Sequence, residues 1–213
     1  MGPPRSLTQK NTLSRVPPAH MLSCFHAFSG AQILKLIHAS KPTTAAVDPV
    51  STKFVLESTN VLLPVFQKIV NLSLESGTLP RAFQKNKKKA VFKPLIKRSN
   101  LDPEVLSNYR PVSKLPYLSM ILERAVADQL QTHLDVNNLH VKFQLAYRRV
   151  HSTETALLRI LNDLLAVIDE GHTALLVLLD LSAAFDTIDH NLLLNRLHSE
   201  NCLHSIVLNW FSS

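Results

Sequence analysis

Apolar residues recur along this chain in two rhythms, and each predicts its own kind of element. Leu62, Leu63, Phe66, Ile69, Val70 and Leu74 fall near the helical period of about 3.6, predicting a helix over Thr59–Leu74. Gly77 and Pro80 supply its stop signals. Ala31–His38 reads as a shorter helix on the same grounds. A third helix is predicted over Leu115–Leu134, with Leu118, Ile121, Leu122, Ala125, Leu130 and Leu134 on one face and Asn137-Asn138 ending it. A fourth, over Thr155–Asp169, should pack through Leu158, Leu161, Leu165 and Ile168. His190–Leu197 is again helical, with Asp189 placed as its N-cap. The other rhythm is extended. Ala90–Lys97 alternates as a strand with lysines on one side, and Asn108–Ser113 can return as its partner after a turn at Asn100-Leu101-Asp102-Pro103. Ala174–Leu179 is an unbroken apolar run, the pattern of a strand buried on both faces. The sum is an α+β chain dominated by helices, with a hairpin near 90–97 and 108–113 and one buried strand near 174–180.

The apolar run stops at Asp180, which places a carboxylate where a central strand would leave the core. A charge there is costly to bury unless it is paired or ligates a cation. Ser182-Ala183-Ala184 forms a small-residue turn, and Phe185 follows as an aromatic wall beside the acid. An acid on a strand end, a turn of flexible width and an aromatic wall describe a site for a metal-bound polyphosphate.

Charge changes the picture more than composition does. The 213 residues carry a net charge of +7, and 46% apolar content is enough for a core. A pI near 9.6 points to a polyanionic partner. Lys85, Lys87, Lys88, Lys89, Lys93, Lys97 and Arg98 follow one another with no acid among them. A basic, aromatic-bearing loop follows at Phe143–Glu154, with Ser152, Thr153 and Glu154 at a helix start. Cys24 and Cys202 are too few for a disulfide framework or a four-cysteine zinc site, which suits a reducing intracellular compartment, nucleus or cytoplasm, rather than secretion. His198, Cys202 and His204 read as surface histidines near a buried thiol. No apolar run approaches the roughly 18 residues needed to span a bilayer. Residues 1–27 are acid-free and broken by Pro3, Pro4, Pro17 and Pro18, the composition of a disordered or unrelated leader.

The segment from Asp180 to His190 resembles the first catalytic motif of reverse transcriptases from LINE-type (non-LTR) retrotransposons, in particular the chicken-repeat-like clade. There a hydrophobic strand leads into Asp-Leu-Ser-Ala-Ala-Phe-Asp-Thr-(Val/Ile)-Asp-His. Asn108-Tyr109-Arg110-Pro111-Val112-Ser113 is similar to the family's Asn-Tyr-Arg-Pro-Ile-Ser, and Phe143–Glu154 to its Phe-Gln-Ser-Gly-Phe-Arg-Pro-Gly-His-Ser-Thr-Glu. Ala146, Arg149 and Val150 depart from the last pattern, and a β-branched Val150 would be strained if the glycine it replaces had a positive φ.

The resemblance implies a helical extension over 28–80, polymerase fingers over 81–153 and the start of a right-hand palm over 154–213. It implies Asp180 as catalytic carboxylate and metal ligand, with the Leu181 carbonyl as a second ligand to one of two Mg2+ ions. Lys97, Arg110, Leu181 and Phe185 would then hold the incoming deoxynucleotide, and Lys93, Arg148 and His151 the nucleic acid. Its partners would be an RNA template and a DNA primer, with no membrane. The family's second pair of aspartates, in a Tyr/Phe-x-Asp-Asp hairpin, has no counterpart in these 213 residues. The expectation is therefore a catalytically incomplete RNA-directed DNA polymerase, lacking later palm and thumb segments. The alternative is a non-catalytic basic nucleic-acid-binding module, or a relic without function.

Overall fold

The computed structural model describes residues 21–40, 51–83, 91–181, 184 and 187–213. In chain order the elements are α1 (Gly30–Ala39), α2 (Thr52–Glu57), α3 (Thr59–Ser76), β1 (Val91–Ile96), a single 3-10 turn (Leu106–Asn108), β2 (Tyr109–Lys114), α4 (Tyr117–Val136), α5 (Thr153–Asp169), α6 (His190–Ser199) and α7 (Ser205–Ser212). The helix-rich α+β character expected from the pattern is present.

The helices start where polar side chains can satisfy their free N–H groups. At α1 the Gln32 N–H donates to Ser29 Oγ, and the Ser29 N–H donates back to Gln32 Oε1 at 2.8 Å, a reciprocal capping box. Asp189 caps α6 as expected, its Oδ1 accepting from the N–H groups of Asn191 (2.8 Å) and Leu192 (3.0 Å). Gly77 ends α3 in the left-handed conformation, φ 63° and ψ 30°.

The core is built by α1, α3 and α4. Ile33 and Ile37 meet Phe66, Val70 and Leu74, and the third wall is Ile121, Leu122, Ala125 and Val126. The expected face of α4 is thus correct at its centre. Tyr117 Oη donates to the Ile37 carbonyl at 2.9 Å, and burial pushes its phenol pKa up against the opposing pull of Arg124. The last helix, α7, seats on α3, where the Trp210 indole N–H donates to Ser73 Oγ at 3.1 Å. Cys202 is buried in the corner before it, which pushes its thiol pKa up. His198 and His204 meet edge to face at 4.4 Å, and desolvation, with help from His198, lowers the His204 pKa.

Residues 21–29 run extended across this assembly, with Phe28 in the core and Phe25 edge to face with Trp210, and their backbone is held as well. Leu22 N–H donates to the Cys202 carbonyl, and the His204 N–H donates to the Leu22 carbonyl, both at 3.0 Å. Two residues on from Cys24, the Gln129 amide brackets His26, accepting from its N–H and donating to its carbonyl, each at 2.8 Å. Asn71 brackets Phe28 in the same way at 2.8 and 3.0 Å, with Gln67 Nε2 adding a bond to the Phe28 carbonyl. An amide side chain thus plays the part of a neighbouring strand.

Two expectations are corrected. Residues 172–181 form no strand and lie at the surface, with Leu175 88% and Leu179 91% exposed. The apolar stripe of α5 is exposed as well, Leu158, Leu161, Leu165 and Ile168 included. The reason is the same for both. A central strand forms only when strands on either side take up its N–H and C=O groups, and a stripe is buried only by a second layer. Among the described residues the sheet holds two strands, β1 and β2, paired with each other alone. Apolar periodicity reports that a segment is suited to burial, and not that its cover is at hand. The helix α5 forms regardless, because Ser152 and Thr155 cap each other at its start. Among the described residues no helix is long and apolar enough to cross a membrane.

Candidate nucleic-acid interface

The hairpin assembles two of the predicted cations. β1 and β2 pair antiparallel from Val91↔Lys114 to Ile96↔Tyr109, so Arg110 stands opposite Leu95, and Lys97 lies just past the last pair. The turn between them is tied by its own side chains: the Glu104 N–H donates to Asp102 Oδ1 and Asn108 Nδ2 to the Asp102 carbonyl, each at 2.9 Å, while Tyr109 Oη donates to the Pro103 carbonyl at 3.0 Å. Lys97 Nζ donates to the Ser107 carbonyl at 2.8 Å, and Arg110 Nη2 reaches the Lys97 carbonyl at 3.5 Å. Both residues are exposed. Lys93 lies in β1 opposite Val112.

A second basic surface is formed by the loop between α4 and α5. Asn138 (φ 52°) turns the chain out of α4, and the loop then uses the left-handed region twice more, at Tyr147 (φ 60°) and Val150 (φ 61°). Arg148 Nη1 donates to the Gln144 carbonyl at 3.3 Å, whereas its buried Nε has no hydrogen-bond partner among the described residues. Arg149 pairs with Asp128 on α4 at 2.6 Å and anchors the loop there. His151 Nδ1 lies 2.8 Å from the Arg149 carbonyl, which requires the proton on Nδ1 and leaves Nε2 as an acceptor in the neutral ring. Phe143 and Tyr147 are largely exposed. Lys142 Nζ lies 5.2 Å from the Phe143 ring centre and the Arg159 guanidinium 5.4 Å from it. The arrangement is an exposed aromatic pair among cations, suited to stacking bases while balancing phosphates. Lys142 and Arg159 are members that sequence reasoning missed. Arg159 lies on α5, and its place beside Phe143 depends on how that helix leaves the loop.

The expected strain at Val150 is present, since this β-branched residue adopts a positive φ while 98% exposed. A left-handed L residue costs about 1–2 kcal/mol, and glycine returns about 0.4–1 kcal/mol of that through a freer unfolded chain. Val150→Gly should therefore stabilise the protein by up to about 1 kcal/mol in chemical denaturation. A clear loss of stability would mean that the loop gains something from valine that its exposed side chain does not reveal.

Asp180 is exposed and stands at the end of the irregular segment rather than on a strand end. Leu181 beside it is 78% exposed. Phe185 lies outside the described residues. Among the described residues no group of three or more His, Cys, Asp and Glu side chains is placed to hold a metal ion. Asp180 and the Leu181 carbonyl offer two oxygens on adjacent residues, and the described residues do not complete the set that two Mg2+ ions need.

Comparison with known proteins covers this same stretch. The reverse transcriptase (RNA-dependent DNA polymerase) family profile matches residues 87–213. The chain is similar to an RNA-directed DNA polymerase from mobile element jockey of Drosophila melanogaster, 33% identical over 122 residues. The jockey polymerase of Drosophila funebris is 31% identical over 122 residues. A probable RNA-directed DNA polymerase from transposon X-element of D. melanogaster is 29% identical over 84 residues, 39% of this chain and 9% of that protein. The two jockey matches each cover 57% of this chain but only 13% of the relative's length.

Proposed function

The chain belongs to the reverse transcriptase (RNA-dependent DNA polymerase) family and carries reverse transcriptase sequence of the non-LTR retrotransposon type, and from that premise we propose that its own task is to hold single-stranded template RNA. The observation that carries this reading is the α4–α5 loop, where exposed Phe143 and Tyr147 stand among Lys142, Arg148, Arg149 and Arg159. Aromatic faces accept any base, and the cations follow the phosphates, so recognition is tolerant of sequence. Lys93 and His151 join them in holding the nucleic acid, while Lys97 and Arg110 on the hairpin meet the triphosphate of an incoming deoxynucleotide.

In the finer reading the chain comes from the chicken-repeat-like clade, on the strength of Asp180–His190. It is organised as a helical extension (28–80), fingers (81–153) and the opening of a palm (154–213). Asp180 and the Leu181 carbonyl would hold one Mg2+, and Phe185 would crowd the sugar 2′ position of the nucleotide. Mg2+ supplies charge neutralisation at the transferring phosphate when bound. A Tyr/Phe-x-Asp-Asp segment is absent from these 213 residues. The reaction is RNA-templated DNA synthesis, carried out inside the cell.

Titration of labelled single-stranded RNA at two ionic strengths tests the binding. With about four phosphate contacts and a slope of roughly 0.7 per contact, affinity should fall about fiftyfold between ~50 and ~200 mM salt. Absence of binding at low salt, or binding indifferent to salt, overturns the reading.

A further inference from the structure

A cavity of about 260 Å3 lies between the C-terminal turns of α4, the loop at residues 139–147 and α6. Leu134, Leu139, Leu193 and Leu197 give it apolar walls. It falls below the roughly 300–1,000 Å3 of pockets for drug-sized ligands, so it admits one ring system and not a whole nucleotide. The ionisable groups lining it already have partners: Arg196 lies 3.9 Å from Glu200, and His140 Nε2 lies 2.7 Å from Asp135 Oδ1. A neutral guest therefore suits it better than a phosphate.

Gln131 adds a chemical requirement. Its Nε2 donates to the Tyr147 carbonyl at 3.2 Å, but its Oε1 is buried and accepts from nothing among the described residues. A buried acceptor without a donor is costly, so a shift of this amide that brings Oε1 to a guest's N–H group is favoured. The same loop presents the largely exposed Tyr147 and, one and two residues on, Arg148 and Arg149. Flat, apolar-faced, neutral and edged with N–H describes a nucleobase, and the cations beside the cavity suit the strand that carries it.

We propose that this cavity takes one base turned out of a single RNA strand, its pairing-edge N–H donating to Gln131 Oε1. The inference rests on the loop being an RNA interface and deepens it by naming a subsite. Each of the four bases has an N–H donor on its pairing edge, which a duplex already uses. The subsite therefore selects single strand over duplex and does not select sequence.

The test measures binding of the full 213-residue chain to a short labelled single-stranded RNA and to an abasic strand of equal length. Gln131→Met should weaken binding of the base-bearing strand about tenfold, a difference of about 1.4 kcal/mol, while leaving the abasic strand unaffected. Leu193→Phe, which narrows the cavity with Gln131 intact, should do the same. Leu193→Phe leaves the Gln131–Tyr147 hydrogen bond in place, so a loss shared by both variants cannot come from displacing Tyr147, and circular dichroism melts confirm that both fold. Unchanged affinity in either variant, as when water alone satisfies Gln131, overturns the subsite, and so does an equal loss for both strands. In either case the interface reading survives. If the parent chain binds neither strand, the interface and the subsite fall together.

Discussion

Gly77→Ala should destabilise the protein by about 3–4 kcal/mol in chemical denaturation. Two effects add. Position 77 has φ 63°, where an L residue costs about 1–2 kcal/mol. A Cβ there would also lie 2.6 Å from the Ile206 carbonyl oxygen and 2.9 Å from Ile206 Cγ2. Backbone cannot swing aside as a side chain can, so α7 must move off α3 and strain the Trp210–Ser73 hydrogen bond. Gly171 is the matched control: it has φ 77° but nothing within 4 Å of an added Cβ. Gly171→Ala should cost only the conformational part, about 1 kcal/mol. Equal losses at the two positions would show that contact between α3 and α7 contributes nothing.

The other large effect concerns catalysis. Residues 1–213 alone should incorporate no deoxynucleotide on a primed RNA template, and Asp180→Asn should change nothing in that assay. A clamp on attacking and leaving oxygens needs carboxylates bridging two metal ions, and most of the transition-state stabilisation depends on it. Joined to the further palm sequence of a relative, the chain should polymerise. Asp180→Asn should then reduce incorporation by about a thousandfold or more, the scale on which preorganised charge acts. Template-dependent synthesis by residues 1–213 that survives Asp180→Asn would refute the assignment of Asp180.

Which parts of this protein were legible in its sequence follows from what each signal reports. Spacing such as Phe66, Val70 and Leu74 reports one face of one helix, and α1, α3 and α4 supply each other's faces, so that core came out correctly. The hairpin was legible because its alternation, its turn residues and its partner lie close together in the chain. Leu175–Leu179 and the stripe of α5 carry equally strong signals, yet they refer to layers not found among the described residues. The candidate interface was half legible. Arg148, His151 and Arg110 stood out through the motifs that hold them, whereas Gln131 lies on α4 with no feature to separate it from Gln129. Only the fold shows that one amide holds the backbone of His26 and the other a loop carbonyl beside a cavity.

The extended strap at residues 21–29 has a consequence for how this part of the chain can drift. Gln129 and Asn71 bind the N–H and C=O of His26 and Phe28, groups that every residue except proline possesses. The grip is therefore indifferent to identity at position 26 and demanding only of shape. Substitutions at an exposed strap position such as 26 can accumulate unseen, whereas Phe28, which enters the core, and the two amides that hold the strap cannot change freely. The least recognisable stretch of such a sequence can still be firmly part of its architecture.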